Sequence, residues 1–336
     1  MRRVPTLVMI LVTVVAALSA PAPSAAESPA DPPGPARERI VIHGVGDILL
    51  CHCFHRAFVT EGYEFAFSGL HGLFTRDALT VGNLECAPGN GGRMLDDKPF
   101  AMRCDTGAYP AMAAAGVDVV SLANNHAGDA GMQALLRGMA DLIDAGITPV
   151  GAGTHRAQAI TPAVFLRGGW SIAVVGFTAV GGGQGWPAGL PRDPGTAWAD
   201  PMVMDRVVRA LDEVFDVVIV TIHQGAGNYG PNPTASEVAT GHALIDAGAD
   251  VVMAHHHHRI LPTEIYRDRP IFWGLGDFVW SRFGDYRDVS GVAEIVVEED
   301  GSITGRLIPA FIVSHGHPVL RGQPDPDMRW QPPPFH

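Results

Sequence analysis

Basic residues are scarce in this chain of 336 residues. It has 23 lysines and arginines against 35 aspartates and glutamates, and its net charge is −12 with histidine neutral. No cluster of lysine and arginine larger than a short pair occurs, so we predict no nucleic-acid partner. No internal repeat of about 20 to 50 residues is present. With 47% hydrophobic and 17% charged residues, the composition is that of an ordinary globular protein with a sizeable core.

Cysteine is also rare, and all four cysteines lie in the first third of the chain. An oxidising compartment permits disulfides, and a bond between Cys86 and Cys104 would close a loop around a glycine-rich segment. Cys51 and Cys53 flank His52 just after a predicted strand. They can bind metal or pair with each other, and their spacing does not decide between these alternatives.

One apolar stretch covers residues 4–20, after two arginines and before a Ser-Ala-Ala sequence that ends at Ala26. This arrangement predicts a signal peptide over residues 1–26, and hence a secreted or cell-envelope protein. An uncleaved membrane anchor is the alternative, although the stretch is near the short limit for crossing a bilayer. No cysteine follows it closely, so a lipoprotein is not indicated.

The rest of the chain predicts one layered α/β domain over residues 38–322. Residues 27–37 resemble a disordered linker, and residues 323–336 form a proline-rich tail that we expect to be poorly ordered. Short apolar segments alternate with helical patterns, which favours an α/β arrangement. The predicted strands are 40–50, 78–84, 117–122, 170–178, 217–222 and 251–254. The predicted helices are 108–115, 132–145, 202–215 and 236–247. From residue 263 onward the pattern changes to β-hairpins.

Ligand-type side chains follow five of these strands. The most informative segment is Asp-Val-Val-Met-Ala-His-His-His-His, in which a buried strand ends in the four histidines 255–258. Ligands of parallel α/β sheets bind beyond the carboxyl ends of the strands, so we expect these side chains to meet. A strand-end aspartate is usually a helix cap and Asn-Asn is usually a turn, but neither explains histidines at three such ends. The five strand ends supply Asp47, Glu85, Asn125 with His126, His223, and the histidine cluster.

Except for one imidazole, this inventory supplies what a site for two divalent metal ions, Mn, Fe or Zn, needs. We expect Asp47 to hold the first ion and Glu85 to bridge both. Asn125, His223 and one clustered histidine would hold the second, and another clustered histidine would return to the first. His126 would face the substrate as an electrostatic stabiliser or general acid. A bridging hydroxide could then attack phosphorus or a carbonyl carbon.

Several motifs resemble the CapA family of poly-γ-glutamate capsule synthesis, a branch of the calcineurin-like metallophosphatase superfamily. The most specific is Ser-Leu-Ala-Asn-Asn-His-Ala-Gly-Asp-Ala-Gly at residues 121–131, and the resemblance covers about residues 41–278. It implies a metallophosphatase-like layered α/β sandwich with mixed sheets, and a role with an anionic extracellular polymer and a membrane capsule synthase. The metal positions implied by the resemblance are Asp47, Glu85, Asn125, His223, His256 and His258.

The chain departs from this pattern at three places. Metallophosphatases usually begin with Asp-x-His, but Leu49 occupies the histidine position, so the first metal lacks an expected imidazole. Either His52, His55 or Cys51 substitutes for it, or the first metal site is weak. The segment after His223 lacks a carboxylate that is common in the family. Asp277 stands where asparagine is common, and we expect it to be a turn residue or a group that orients a ligating imidazole.

Strand alternation makes a further prediction about the histidine cluster. If the strand continues, His255 and His257 point away from His256 and His258, as packing or rim residues.

These features together predict an exported CapA-like, metal-dependent hydrolase that acts on a phosphoester or an anionic cell-envelope polymer. One alternative is a noncatalytic accessory or polymer-binding subunit of a capsule synthase, which the missing histidine favours. Another is hydrolysis of an amide bond in a γ-linked glutamyl polymer, because the same metal chemistry can attack a carbonyl carbon.

Overall fold

The computed structural model describes residues 36–96, 98–181, 195–225 and 230–321. The predicted signal peptide, most of the predicted linker and the predicted proline-rich tail lie outside these ranges, as do residues 226–229 after His223. The division of the chain into these segments therefore stays a prediction.

Sixteen strands and seven α-helices lie within the described residues. The strands are β1 Ile40–Ile48, β2 Leu79–Leu84, β3 Val119–Ser121, β4 Thr148–Val150, β5 Ala152–Gly153, β6 Ala163–Arg167, β7 Trp170–Thr178, β8 Gly195–Thr196, β9 Val217–His223, β10 Val251–His255, β11 Thr263–Tyr266, β12 Arg269–Phe272, β13 Asp277–Val279, β14 Val289–Val297, β15 Ile303–Ser314 and β16 His317–Leu320. The helices are α1 Ala57–Glu61, α2 Phe65–Ser68, α3 Tyr109–Ala114, α4 Met132–Asp144, α5 Arg156–Ala159, α6 Pro201–Asp212 and α7 Ala235–Asp246, with 3₁₀ turns at Thr106–Ala108 and Tyr286–Asp288.

Two mixed sheets form the body of the domain. The first has the order β16-β15-β14-β1-β2-β3-β4, with β13 also paired to β1, and the second has the order β11-β12-β10-β9-β7-β6. The strands β1 to β4 run parallel to one another, as do β7, β9, β10 and β12. Strands of this parallel kind are buried on both faces, which explains why β9 and β10 consist almost entirely of apolar residues.

Three apolar clusters show how the layers stack. The central one combines Ile42 and Val81 of the first sheet with Ile219 and Met253 of the second, so the two sheets pack face to face. A second cluster lies between the first sheet and α1 to α4. A third lies between the second sheet and α5 to α7. The result is a helix–sheet–sheet–helix sandwich, which confirms the predicted layered α/β class with mixed sheets.

Helices α6 and α7 begin at residues whose side chains cap them. Asp200 accepts hydrogen bonds from the backbone N–H groups of Met202 and Val203, and Thr234 forms a capping box with Glu237. Each predicted helix is present. Its ends differ from the prediction by a few residues at most, since apolar periodicity indicates that a helix exists better than it indicates where the helix ends. The C-terminal hairpins are also present, since β11 pairs antiparallel with β12, and β15 with β14 and β16.

The structure contains two disulfides, Cys86–Cys104 and Cys51–Cys53. The first is the bond that the sequence suggested, and the second resolves the open alternative, because these two cysteines pair with each other. No helix in the described part of the chain has the length and apolar character needed to cross a bilayer.

Candidate metal centre

The predicted ligands converge where the parallel strands of both sheets end. Asp47 lies near the end of β1, and Glu85 is the first residue after β2. His223 and His255 are the last residues of β9 and β10, and they are register partners across the two strands. The carboxyl ends of strands from two packed sheets therefore meet at one crevice, as the sequence led us to expect.

One group of ligand-type side chains is formed by Glu85, His223 and His256. Each offers an atom within 4.8 Å of the other two. His223 Nε2 lies 3.5 Å from Glu85 Oε1 and 2.7 Å from Oδ1 of Asn125. The imidazole rings of His223 and His256 meet edge to face, with centroids 4.9 Å apart. The four residues proposed for the second metal are thus gathered around one point.

A second group is formed by Asp47, His258 and Asp277, whose ligand-type atoms also lie within 4.8 Å of one another. His258 Nδ1 lies 3.5 Å from Asp47 Oδ2 and 2.7 Å from Asp277 Oδ1. His258 Nε2 lies 3.8 Å from Glu85 Oε1, so Glu85 stands between the two groups. This is the place that a bridging carboxylate requires.

His126 faces the same crevice from the loop after β3. Its Nε2 lies 4.0 Å from Glu85 Oε1, and its Nδ1 is 2.7 Å from Asp129 Oδ2. Asp129 also accepts hydrogen bonds from Lys98 Nζ at 2.5 Å and from the backbone N–H of Met102 at 2.7 Å. The orientation of the His126 ring is thus set from behind, and one ring nitrogen remains directed at the site.

The proposed substitutes for the histidine missing at Leu49 all lie elsewhere. His52 contacts Asp105, and His55 bonds to the carbonyl oxygen of Leu49. Cys51 is in a disulfide, and the Leu49 side chain packs in the core beneath the first sheet. None of these alternatives supplies a ligand, whereas Asp277, predicted as a turn or orienting residue, reaches the position.

The prediction for His255 was wrong, because the strand does not continue past this residue. His256 and His258 have φ of +95° and +50°, so the alternation that applies in a strand no longer holds. His255 is buried, and its Nδ1 lies 3.3 Å from Asp47 Oδ1 inside the site. His257 does point away, and it bonds to Glu237 of α7 at 2.8 Å.

Two residues that shape the site, Asn83 and Lys98, carried no predicted role, and a third, Asp277, was predicted only as a turn or orienting residue. Asn83 donates a hydrogen bond to Asp47 and accepts one from Asn124, which ties β1, β2 and the loop after β3 together. Lys98 lies in the loop between β2 and the 3₁₀ turn at Thr106–Ala108, and no sequence motif marks it. Asp277 follows a glycine and is visible in the sequence only as a departure from the family pattern.

Burial and mutual charge control ionisation in this crevice. Burial opposes ionisation of Asp47, but His255, His258 and His223 hold its pKa well below the ordinary value. Burial and the neighbouring Asp47 raise the pKa of Glu85 well above its usual range. Burial lowers the pKa of His256 to about 4, helped by the charge of His258. Burial opposes the charged form of His258, but Asp277 and Glu85 raise its pKa well above the ordinary value. Metal binding requires ionised carboxylates and neutral imidazoles, so an ion bound here would displace protons from Glu85 and His258.

The unpartnered atoms of the crevice test whether a metal fits. Both carboxylate oxygens of Glu85, Nδ1 of His256 and Oδ2 of Asp277 are buried and have no hydrogen-bond partner in the described ranges. Leaving a buried charged group unsatisfied costs more than about 1–3 kcal/mol. Cations placed among these atoms would remove that cost, so the donor set fits divalent metal ions.

This chain is similar to several known proteins. The family model described as "Bacterial capsule synthesis protein PGA_cap" matches residues 41–282. A probable polyglutamine synthesis accessory protein of Mycobacterium tuberculosis is 36% identical over 220 residues, covering 62% of this chain and 56% of the relative. The PGA biosynthesis protein CapA of Bacillus subtilis is 28% identical over 269 residues, covering 78% of this chain and 68% of the relative.

The match therefore spans little more than half the length of the mycobacterial relative. Among solved structures, a calcineurin-like phosphoesterase, YfkN of Bacillus subtilis, aligns with a TM-score of 0.46 and 13% identity, covering 81% of this chain and 90% of that one.

Proposed function

The chain belongs to the bacterial capsule synthesis protein PGA_cap family, and on that premise we propose that it is an exported, metal-dependent hydrolase of a phosphoester or an anionic cell-envelope polymer. The observation that carries this proposal is the convergence of two ligand groups on Glu85, whose carboxylate is buried without a hydrogen-bond partner in the described residues. The names of the relatives refer to polyglutamine synthesis and PGA biosynthesis, which supports a polymer-related role.

Two divalent ions, Mn, Fe or Zn, would occupy the crevice. Asp47 and His258 would hold the first, and Asn125, His223 and His256 would hold the second, with Glu85 between them. When bound, such ions supply Lewis acidity toward a phosphoryl or carbonyl oxygen and make water nucleophilic at neutral pH. The protein holds its own ligands in place through Asn83, which fixes Asp47 from the side.

His126 would exchange a proton with the leaving group through Nε2. Asp129 accepts the hydrogen bond from Nδ1, which fixes the ring and directs Nε2 toward Glu85. Burial lowers the pKa of His126, so the neutral ring predominates at pH 7; to act as a general acid it would first take up a proton at Nε2, and the resulting imidazolium would pass that proton to the leaving group. Lys98 neutralises the charge of Asp129 and also donates a hydrogen bond to the carbonyl oxygen of Asn125 at 2.5 Å. These two contacts hold the loop that carries Asn125 and Asp129.

The test compares metal content and turnover in the same preparations. We expect the purified protein to bind Mn, Fe or Zn by elemental analysis, and the metal-loaded protein to hydrolyse members of a phosphoester and γ-glutamyl panel. His126→Ala should lower kcat by about 10²–10⁴-fold with metal content intact. His242→Ala is the matched control, because His242 pairs with Glu264 outside the crevice. Protein that stays metal-free after incubation with all three ions would refute the proposal.

A noncatalytic accessory role is the second candidate, and the name of the mycobacterial relative, a probable polyglutamine synthesis accessory protein, favours it. In that case the metal centre would hold an anionic polymer or organise a membrane capsule synthase. Poly-γ-glutamate would then bind the metal-loaded protein without turnover, and His126→Ala would leave that binding unchanged. Turnover of any panel member that disappears in His126→Ala would exclude this role.

A further inference from the structure

Asp277 and Asp47 lie side by side in neighbouring strands of the first sheet. β13 runs parallel to β1, and the two aspartates are register partners. The backbone N–H of Asp47 donates to the carbonyl oxygen of Gly276 at 3.0 Å. A Cβ added to Gly46 would lie 1.9 Å from that same oxygen, so the strands approach as closely as glycine permits. The backbone thus places a second carboxylate beside Asp47.

Only one oxygen of Asp277 is accounted for by a hydrogen bond. Oδ1 lies 2.7 Å from His258 Nδ1, whereas Oδ2 has no hydrogen-bond partner in the described ranges. Asp277 has no solvent-exposed surface, and Asp47 is 1% exposed. The ligand-type atoms of the two carboxylates lie within 4.8 Å of each other. Two buried carboxylates this close favour a cation between them, because water does not reach them and their charges repel.

The two ligand groups differ in chemistry. The group of Asp47, His258 and Asp277 has two carboxylates and one imidazole, whereas the group of Glu85, His223 and His256 has one carboxylate and two imidazoles. Oxygen ligands favour hard ions such as Mn²⁺ and Mg²⁺, and imidazole suits Zn²⁺ and Fe²⁺. A difference in metal preference between the two positions follows from these ligands.

We propose that Asp277 binds the first metal directly through Oδ2, and that this makes the first position more selective for Mn²⁺ over Zn²⁺ than the second. The inference rests on the proposed metal centre and adds a ligand and a metal preference to it. The competing role for Asp277 is a positioning one, in which its hydrogen bond to His258 only orients that ring.

A crystal structure of the wild-type protein soaked with Mn²⁺ separates these roles. We expect an anomalous peak within about 2.2 Å of Asp277 Oδ2 at the position shared with Asp47. A peak at that position but more than about 3 Å from both Asp277 oxygens would overturn direct ligation. The measurement needs no variant and does not depend on activity.

Metal binding in solution gives a second readout. By equilibrium dialysis with elemental analysis, we expect Asp277→Asn to bind Mn²⁺ at one position more than about 100-fold more weakly, beyond the range typical of groups that only orient a ligand. Asp118→Asn is the matched control, because Asp118 is a half-buried carboxylate that accepts from the backbone N–H of Thr80 outside the site. It should bind two equivalents, as the wild type does.

Competition between Mn²⁺ and Zn²⁺ tests the preference itself. In the wild type, the first position should exchange Mn²⁺ for Zn²⁺ at a higher Zn²⁺ concentration than the second. If the wild type binds two ions and the Asp277→Asn variant has the same stoichiometry and the same metal preference, this inference is refuted and the proposed function stands. A wild-type protein that binds no metal would refute both.

Discussion

Removal of the Cys86–Cys104 disulfide is a sharp test of how the fold holds the proposed metal site. Cys86 directly follows Glu85, and both cysteines are fully buried. The bond closes a loop with a sequence separation of 18. Within that loop lies Lys98, which contacts Asp129 behind His126. We expect the double variant Cys86→Ala/Cys104→Ala to be destabilised and to bind metal more weakly.

The size of the effect follows from loop-closure entropy. A loop of this length contributes about 3 kcal/mol to the free energy of unfolding. The Cys51–Cys53 bond has a sequence separation of only 2, so the same relation assigns it about 1.5 kcal/mol. Alanine is the better replacement, since serine at the buried positions Cys51, Cys86 and Cys104 would bury unpaired hydroxyl groups. The chain therefore contains its own matched control, the double variant Cys51→Ala/Cys53→Ala.

Urea denaturation followed by circular dichroism measures both free energies under identical conditions. We expect the Cys86–Cys104 variant to lose about twice as much stability as the Cys51–Cys53 variant. A loss below about 1 kcal/mol for the longer loop, or a larger loss for the shorter one, would refute the loop-closure reasoning. A stability loss without any change in metal affinity would show that the disulfide does not position Glu85.

Three further predictions concern packing and pH. Gly46→Ala should destabilise the fold by more than about 1–3 kcal/mol and weaken metal binding, because the new Cβ would collide with the Gly276 carbonyl oxygen. A variant with the Tm of the wild type would contradict the close approach of the two strands. Burial lowers the pKa of His55 to about 4, so the free energy of unfolding should fall by up to about 3 kcal/mol as the pH drops from 6.5 toward 4. Urea titrations at each pH should show that the free energy of unfolding of His55→Gln depends less steeply on pH, and an equally steep dependence would refute this role of His55. Glu237→Gln should lower metal affinity by about 10-fold, because Glu237 caps α7 and holds His257, and with it the turn of residues 256–258. Calorimetric titration with Mn²⁺ measures this affinity, and an unchanged value would exclude a positioning role for Glu237.

Periodicity and strand-end chemistry predicted most of the fold. The segments leading to Asp47, His223 and the histidine cluster are continuous apolar runs, and such runs form buried parallel strands whatever their neighbours are. The short strands β4 and β6 were missed, because Thr148–Val150 is too short for a pattern and Ala163–Arg167 lies at a sheet edge with two exposed apolar residues.

The chain by itself determined the layered α/β class, the family, and which strand ends carry carboxylate, amide and imidazole groups, because these depend on local pattern and on residue type. Only the tertiary structure decided that Asp277, from a strand 230 positions after Asp47 in the chain, lies beside it, that Lys98 supports Asp129, and that His255 turns inward. Those outcomes depend on strand register, on the close approach at Gly46, and on left-handed backbone after β10, and no local pattern encodes contacts between residues so far apart.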